Sequence, residues 1–118
     1  MANTINWFEI PVTDFQRAKK FYNAILGIEI EEGEMGNFKM GMFPGGDGAL
    51  IHGEGYKPSD TGVVIYLNGG DDLSNILSKV KDAGGNIIIE KTLITEEIGY
   101  YAFFHDTEGN RIGLHSQK

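Results

Sequence analysis

Between Ile5 and Val12 the chain alternates, as a strand with one buried face does. Phe8, Ile10 and Val12 make one face, and Trp7, Glu9 and Pro11 the other. The period then changes. Phe15, Ala18, Tyr22, Ile25 and Leu26 recur at helical spacing. A helix is therefore expected from Thr13 and Asp14, with Thr13 and Gln16 as a capping box and Gly27 as its stop. Short strands follow at Ile28 to Glu32, Asn37 to Phe43 and Ala49 to His52, the last two joined by the turn-forming run Pro44 to Gly48.

Glu54 to Thr61, rich in Gly, Pro, Ser and Asp, reads as a connector, after which the order restarts. Val63, Ile65 and Leu67 form the apolar face of a strand, opposite Val64, Tyr66 and Asn68. Asp71 or Asp72 caps a helix whose buried stripe is Leu73, Ile76, Leu77 and Val80. Lys79 and Lys81 sit near its C-terminal end, where positive charge is favoured, and Gly84-Gly85 stops it. Asn86 to Glu90 reads as a strand and Thr92 to Gly99 as a loop. An aromatic hairpin closes the pattern, turning at Asp106 to Gly109. Asp opens such turns by bonding the backbone ahead of it, and glycine supplies the positive φ that leaves them. Gly36 and Gly99, Phe38 and Tyr101, Met40 and Phe103, Gly46 and Gly109, and His52 and His115 are each 63 positions apart, which suggests an internal duplication. The expected fold is α+β: one domain of two β-α-β-β-β modules, about 1–53 and 62–118, whose curved mixed sheets enclose a cavity.

Composition narrows the function. A net charge of −7 and a pI near 4.8 speak against nucleic acid, whose phosphates need clustered Lys and Arg. No basic amphipathic helix and no long apolar run points to a membrane. With no cysteine there is no disulfide, thiolate metal site or catalytic thiol. The first residues show no signal peptide, so a cytoplasmic protein is expected.

The stretches Phe8-Glu-Ile-Pro-Val-Thr-Asp-Phe-Gln-Arg-Ala-Lys-Lys-Phe-Tyr22, Leu26-Gly27 and Asp106-Thr-Glu-Gly-Asn-Arg-Ile-Gly-Leu114 carry a resemblance over essentially the whole chain. They resemble the vicinal-oxygen-chelate superfamily, which includes glyoxalase I, extradiol dioxygenases and bleomycin- and fosfomycin-resistance proteins. The nearest likeness is to the glyoxalase-like branch. In metal-using members, four strands each point one His or Glu into the cavity to hold a divalent ion. Matching the motifs puts Trp7 at the first of these positions, Leu50 or His52 at the second, Val64 at the third and Gly113 at the fourth. Glyoxalase I has a Glu at that fourth position. Indole nitrogen carries a proton and has no free lone pair, and Val and Gly offer no donor. The resemblance therefore implies the fold without its usual metal site.

Several candidates remain. Glu9, His52 and His115 could carry catalysis. Together they have the composition of a two-histidine, one-carboxylate site, which would take a divalent Zn, Ni, Fe or Mn. Each His could equally serve the backbone or face solvent. Glu9 lies mid-strand between Trp7 and Pro11, where a carboxylate is costly to ionise and can serve as a proton carrier. Trp7, Glu9, Tyr66, Tyr101 and Phe103 could line a pocket for a planar ligand, or simply fill space. His105 is expected to be exposed. Gly45 to Gly48 reads as a turn and not a phosphate cradle, because no helix follows it. Three functions stay open: a small-molecule-binding protein without cofactor, a glyoxalase-like lyase or isomerase, and a non-catalytic scaffold. Exposed cavity-facing apolar groups point to a homodimer, with the modules paired within one chain or across two.

Overall fold

The computed structural model describes residues 4–118; residues 1–3, assigned above to the first module, lie outside them. The first half runs β1 (Phe8–Pro11), α1 (Phe15–Leu26), β2 (Glu31–Met35), β3 (Phe38–Met42) and β4 (Gly48–His52). The second runs β5 (Ile65–Asn68), α2 (Ser74–Ala83), β6 (Asn86–Thr95), β7 (Gly99–His105) and β8 (Arg111–Ser116). Each half makes a four-stranded mixed sheet, in the orders β1-β4-β3-β2 and β5-β8-β7-β6. In each sheet the first strand lies parallel to the last, and the remaining pairings are antiparallel. The α+β architecture of two β-α-β-β-β units is as expected. The two sheets do not close into a barrel, since β1 and β5 are both edge strands and are not paired.

The helices form where periodicity places them, and each ends at a left-handed glycine, Gly27 at φ 64° and Gly84 at φ 111°. Their starts differ from expectation. Asp14, not Thr13, caps α1 by accepting the Arg17 N–H. Gln16 does not close a capping box but bonds Glu32 across to β2. At α2, Asp72 accepts the Ser74 N–H, while the Leu73 N–H is taken by Ser116 of β8. β6 is also longer than expected. Most of Thr92 to Gly99 is strand, with Thr92, Leu93 and Thr95 opposite Tyr101, Tyr100 and Gly99 through bulged registers.

Both helices share one core. Ile10, Phe21, Tyr22 and Leu50 from the first half and Leu77, Val80, Phe104 and Leu114 from the second are all buried in it. The Phe21 and Phe104 rings meet across the halves at 5.9 Å. The hairpin turn between β7 and β8 fastens this core. Asp106 accepts the Tyr22 hydroxyl at 2.6 Å and the N–H groups of Glu108 and Asn110 at 2.9 Å. Asn110 Nδ2 then reaches the Pro11 carbonyl of β1 at 2.8 Å. Glu108 accepts the N–H groups of Thr13 and Asp14 and pairs with Arg17. The second half therefore supplies the acceptor for the two backbone N–H groups that lead into α1.

Candidate functional site

With the helices between them, each sheet turns one face away from the shared core. Strand pairing decides which residues those faces carry. In the first sheet Glu9 is opposite Ala49, Pro11 opposite Ile51, and Met40 and Met42 oppose Ile51 and Ala49, so all share one face. Part of it is roofed: Phe38, Met40, Ala49 and Ile51 pack with Tyr56 of the connector. In the second sheet Tyr66 and Phe103 flank Gly113, Asn68 and Tyr101 flank His115, and Arg111 continues the row. The outward faces are thus mainly aromatic and apolar. Trp7, Met42 and Tyr66 remain 37%, 37% and 51% exposed.

The proposed aromatic residues fall into two groups. Tyr66, Phe103 and Tyr101 form a shelf, with Tyr66 to Phe103 at 5.6 Å and Tyr101 to Phe103 at 5.5 Å between ring centres. Trp7 and Glu9 sit apart on the other sheet, joined by an Nε1–H bond to the carboxylate at 3.3 Å. A groove of about 980 Å³ runs between the edges of β1 and β5, and its lining includes Trp7, Glu9, Val64 and Tyr66. It brings Tyr66 to one space with Trp7 and Glu9; Phe103 and Tyr101 adjoin Tyr66 but are not part of that lining.

The three residues proposed for catalysis do not converge. His52 pairs with Lys39 and lies on the face opposite Glu9, at the strand end, where its Nδ1 is 3.0 Å from the Val12 carbonyl. His115 does lie on an outward face, but of the second sheet, and its Nε2 meets the Ile98 carbonyl at 2.6 Å. A carbonyl only accepts, so each of these ring nitrogens carries the proton and donates. His105 is half-buried, with its Nε2 3.6 Å from Asp60.

The misplacement of His52 has a simple cause. Between the opposed pair Met42 and Ala49 the first hairpin holds one residue more than the second holds between His105 and Arg111. The 63-residue offset therefore fails after the turn, and a slip of one flips every side chain to the other face. Neither Leu50 nor His52 faces outward; Ala49 and Ile51 do, and neither offers a donor atom.

The remaining metal positions do not fit a metal either. Trp7 and Val64 supply no lone pair. At Gly113 a Cβ would lie 2.6 Å from the Tyr66 ring, so any larger side chain there meets an aromatic already in place. Among the described residues no group of three or more His, Cys, Asp or Glu side chains is gathered to hold an ion.

Sequence reasoning left two polar groups of this region unassigned. Asn110, buried in the turn, also accepts the connector's Ser59 N–H at 3.0 Å. Arg111 lies over the Phe103 ring. The alternation Arg111, Gly113, His115 was the signal that could have marked Arg111 as outward-facing.

Comparison with known proteins agrees with this arrangement. The family model described as Glyoxalase/Bleomycin resistance protein/Dioxygenase superfamily matches residues 4–114. A glyoxylase-like domain-containing protein of Didymella fabae is 32% identical, over 90% of this chain and 88% of that protein. A hypothetical protein from S. aureus superposes with a TM-score of 0.72 at 21% identity, over 98% of this chain and 95% of that one. TnmS3, an antibiotic binding protein from Streptomyces, superposes with a TM-score of 0.67 at 21% identity, over 99% of this chain and 98% of that one.

Proposed function

Since the chain belongs to the glyoxalase/bleomycin resistance protein/dioxygenase superfamily, we propose that it binds a planar small molecule without a divalent metal. The observation that carries this reading is the Tyr66 ring seated on Gly113. An aromatic surface stands at the position that the resemblance assigns to a metal-holding Glu. With Phe103 and Tyr101 it offers stacking area at low entropic cost, because aromatic side chains have few rotamers to lose. That TnmS3, of the same fold, is an antibiotic binding protein supports a sequestering role of this kind.

A lyase or isomerase reaction has less support, because Glu9 and His52 lie on opposite sheet faces and both histidines serve backbone carbonyls. The exposed Trp7, Met42 and Tyr66 favour a two-fold homodimer in which the outward faces cover each other. A cytoplasmic location belongs to the same proposal.

The test uses Trp7, the only tryptophan, as its probe. Planar metabolites that bind should shift or quench its emission saturably, and Tyr66→Ala should weaken them at least several-fold. Light scattering at tens of micromolar should report a dimer. A broad panel of planar compounds without a saturable response would favour the scaffold reading instead.

A further inference from the structure

Arg111 is used by nothing in the core or the turn. It follows Asn110 at the start of β8 and shares the face of Gly113 and His115. Its guanidinium carbon lies 5.6 Å from the centre of the Phe103 ring, which adjoins Tyr66. The chain carries 17 acidic residues against ten basic ones. Even so, the ion pairs among the described residues involve Arg17, Lys19, Lys39, Lys91 and His105, and none involves Arg111. Its Nε is buried and has no hydrogen-bond partner among the described residues.

A guanidinium presents its N–H donors in a rigid fork matched to a carboxylate, and burying one without an acceptor is costly. The space beside it is a pocket of about 220 Å³ whose lining includes Lys57, Ser59 and Asn110. Lys57 brings a second cation to that space. Glu9 also borders it, and its negative charge leaves the corner with one net positive charge.

We propose that this corner holds the anionic end of the ligand, and that the ligand is an aryl carboxylate. Its ring lies along the Phe103 and Tyr66 shelf, and its carboxylate is forked by Arg111. One guanidinium and one lysine in a chain of net charge −7 suit a single negative charge better than a phosphate's two. The inference rests on the small-molecule reading above and names the chemical class that reading leaves open.

Calorimetry on the full chain distinguishes the two. The probes are 2-naphthoate and its neutral analogue 2-naphthalenemethanol, titrated into the wild type, Arg111→Gln, Arg111→Lys and Phe103→Ala, with circular dichroism showing that each variant is folded. The wild type should prefer the acid by about tenfold or more, the scale of a charge-assisted pair. Arg111→Gln should abolish that preference, Arg111→Lys should keep part of it, and Phe103→Ala should weaken both probes. Equal affinity for acid and alcohol in the wild type, or a preference that survives Arg111→Gln, overturns the carboxylate proposal while leaving the pocket intact. If neither probe binds at millimolar concentration, the aryl carboxylate proposal falls, and the small-molecule reading is decided by the broader panel of planar compounds.

Discussion

Glu108→Gln should loosen the joint between the two halves. In the wild type, Oε1 accepts the Thr13 and Asp14 N–H groups at 2.8 and 2.7 Å, Oε2 accepts Arg17 Nε at 2.8 Å, and the carboxylate side chain is 0% exposed. Glutamine keeps the shape, but its NH₂ would confront the Arg17 N–H, donor against donor. The Arg17 side chain is 51% exposed, so that ion pair is worth at most about 1 kcal/mol. The two backbone bonds lose their charge assistance, about 1 kcal/mol more in total because water can reach Thr13 and Asp14. The sum, roughly 2 kcal/mol, corresponds to a fall in Tm of about 8 °C for a chain of this size. Arg17→Ala should cost less than half as much.

The pH dependence adds a second test. Burial pushes the Glu108 carboxyl up, but Arg17, the Asp14 and Thr13 N–H groups and the Thr107 hydroxyl outweigh it and leave its pKa below the ordinary value. A depressed carboxylate stabilises above its unfolded pKa, about 4.3, and the contribution is lost as pH falls through the lower folded value. The Tm gap between wild type and Glu108→Gln should therefore be full at pH 6 and shrink towards pH 3. Melting curves at one fixed protein concentration measure it. A gap that stays constant over that range, or one below about 2 °C at pH 6, would refute the clamp.

Tyr22→Phe removes the 2.6 Å bond to buried Asp106 and should cost about 1–3 kcal/mol in denaturant unfolding, with no change in the m-value. Gly113→Ala places its Cβ 2.6 Å from the Tyr66 ring and must displace it. Ligand affinity should fall, measured by Trp7 fluorescence, whereas the same substitution in a Tyr66→Ala background should change it little. Chelator treatment should leave the Tm unmoved, because a metal bound only by the folded state would stabilise it by linkage. Elemental analysis finding one ion per chain would contradict this.

Much of this protein was legible in the chain because the determining forces are local. The helical spacing of Phe15, Ala18, Tyr22 and Ile25 fixed α1, Gly27 and Gly84 ended the helices, and Asp106 with Gly109 made the turn. The alternation around Glu9 and around Tyr66 placed both on outward faces. What escaped depended on partners distant in sequence. Gln16 three residues after Thr13 looked like a capping box, yet the Thr13 N–H that Gln16 would have taken goes to Glu108, from the other half of the chain. Thr92 to Gly99 carries no strong strand pattern, and only pairing with β7 holds it extended. His52 could not be assigned a face until β3 paired with β4, because one extra residue in the intervening turn reverses the side of every position after it. Nor could Arg111 be seen as unpaired, since a missing ion pair exists only relative to all the carboxylates that folding brings near or leaves far away.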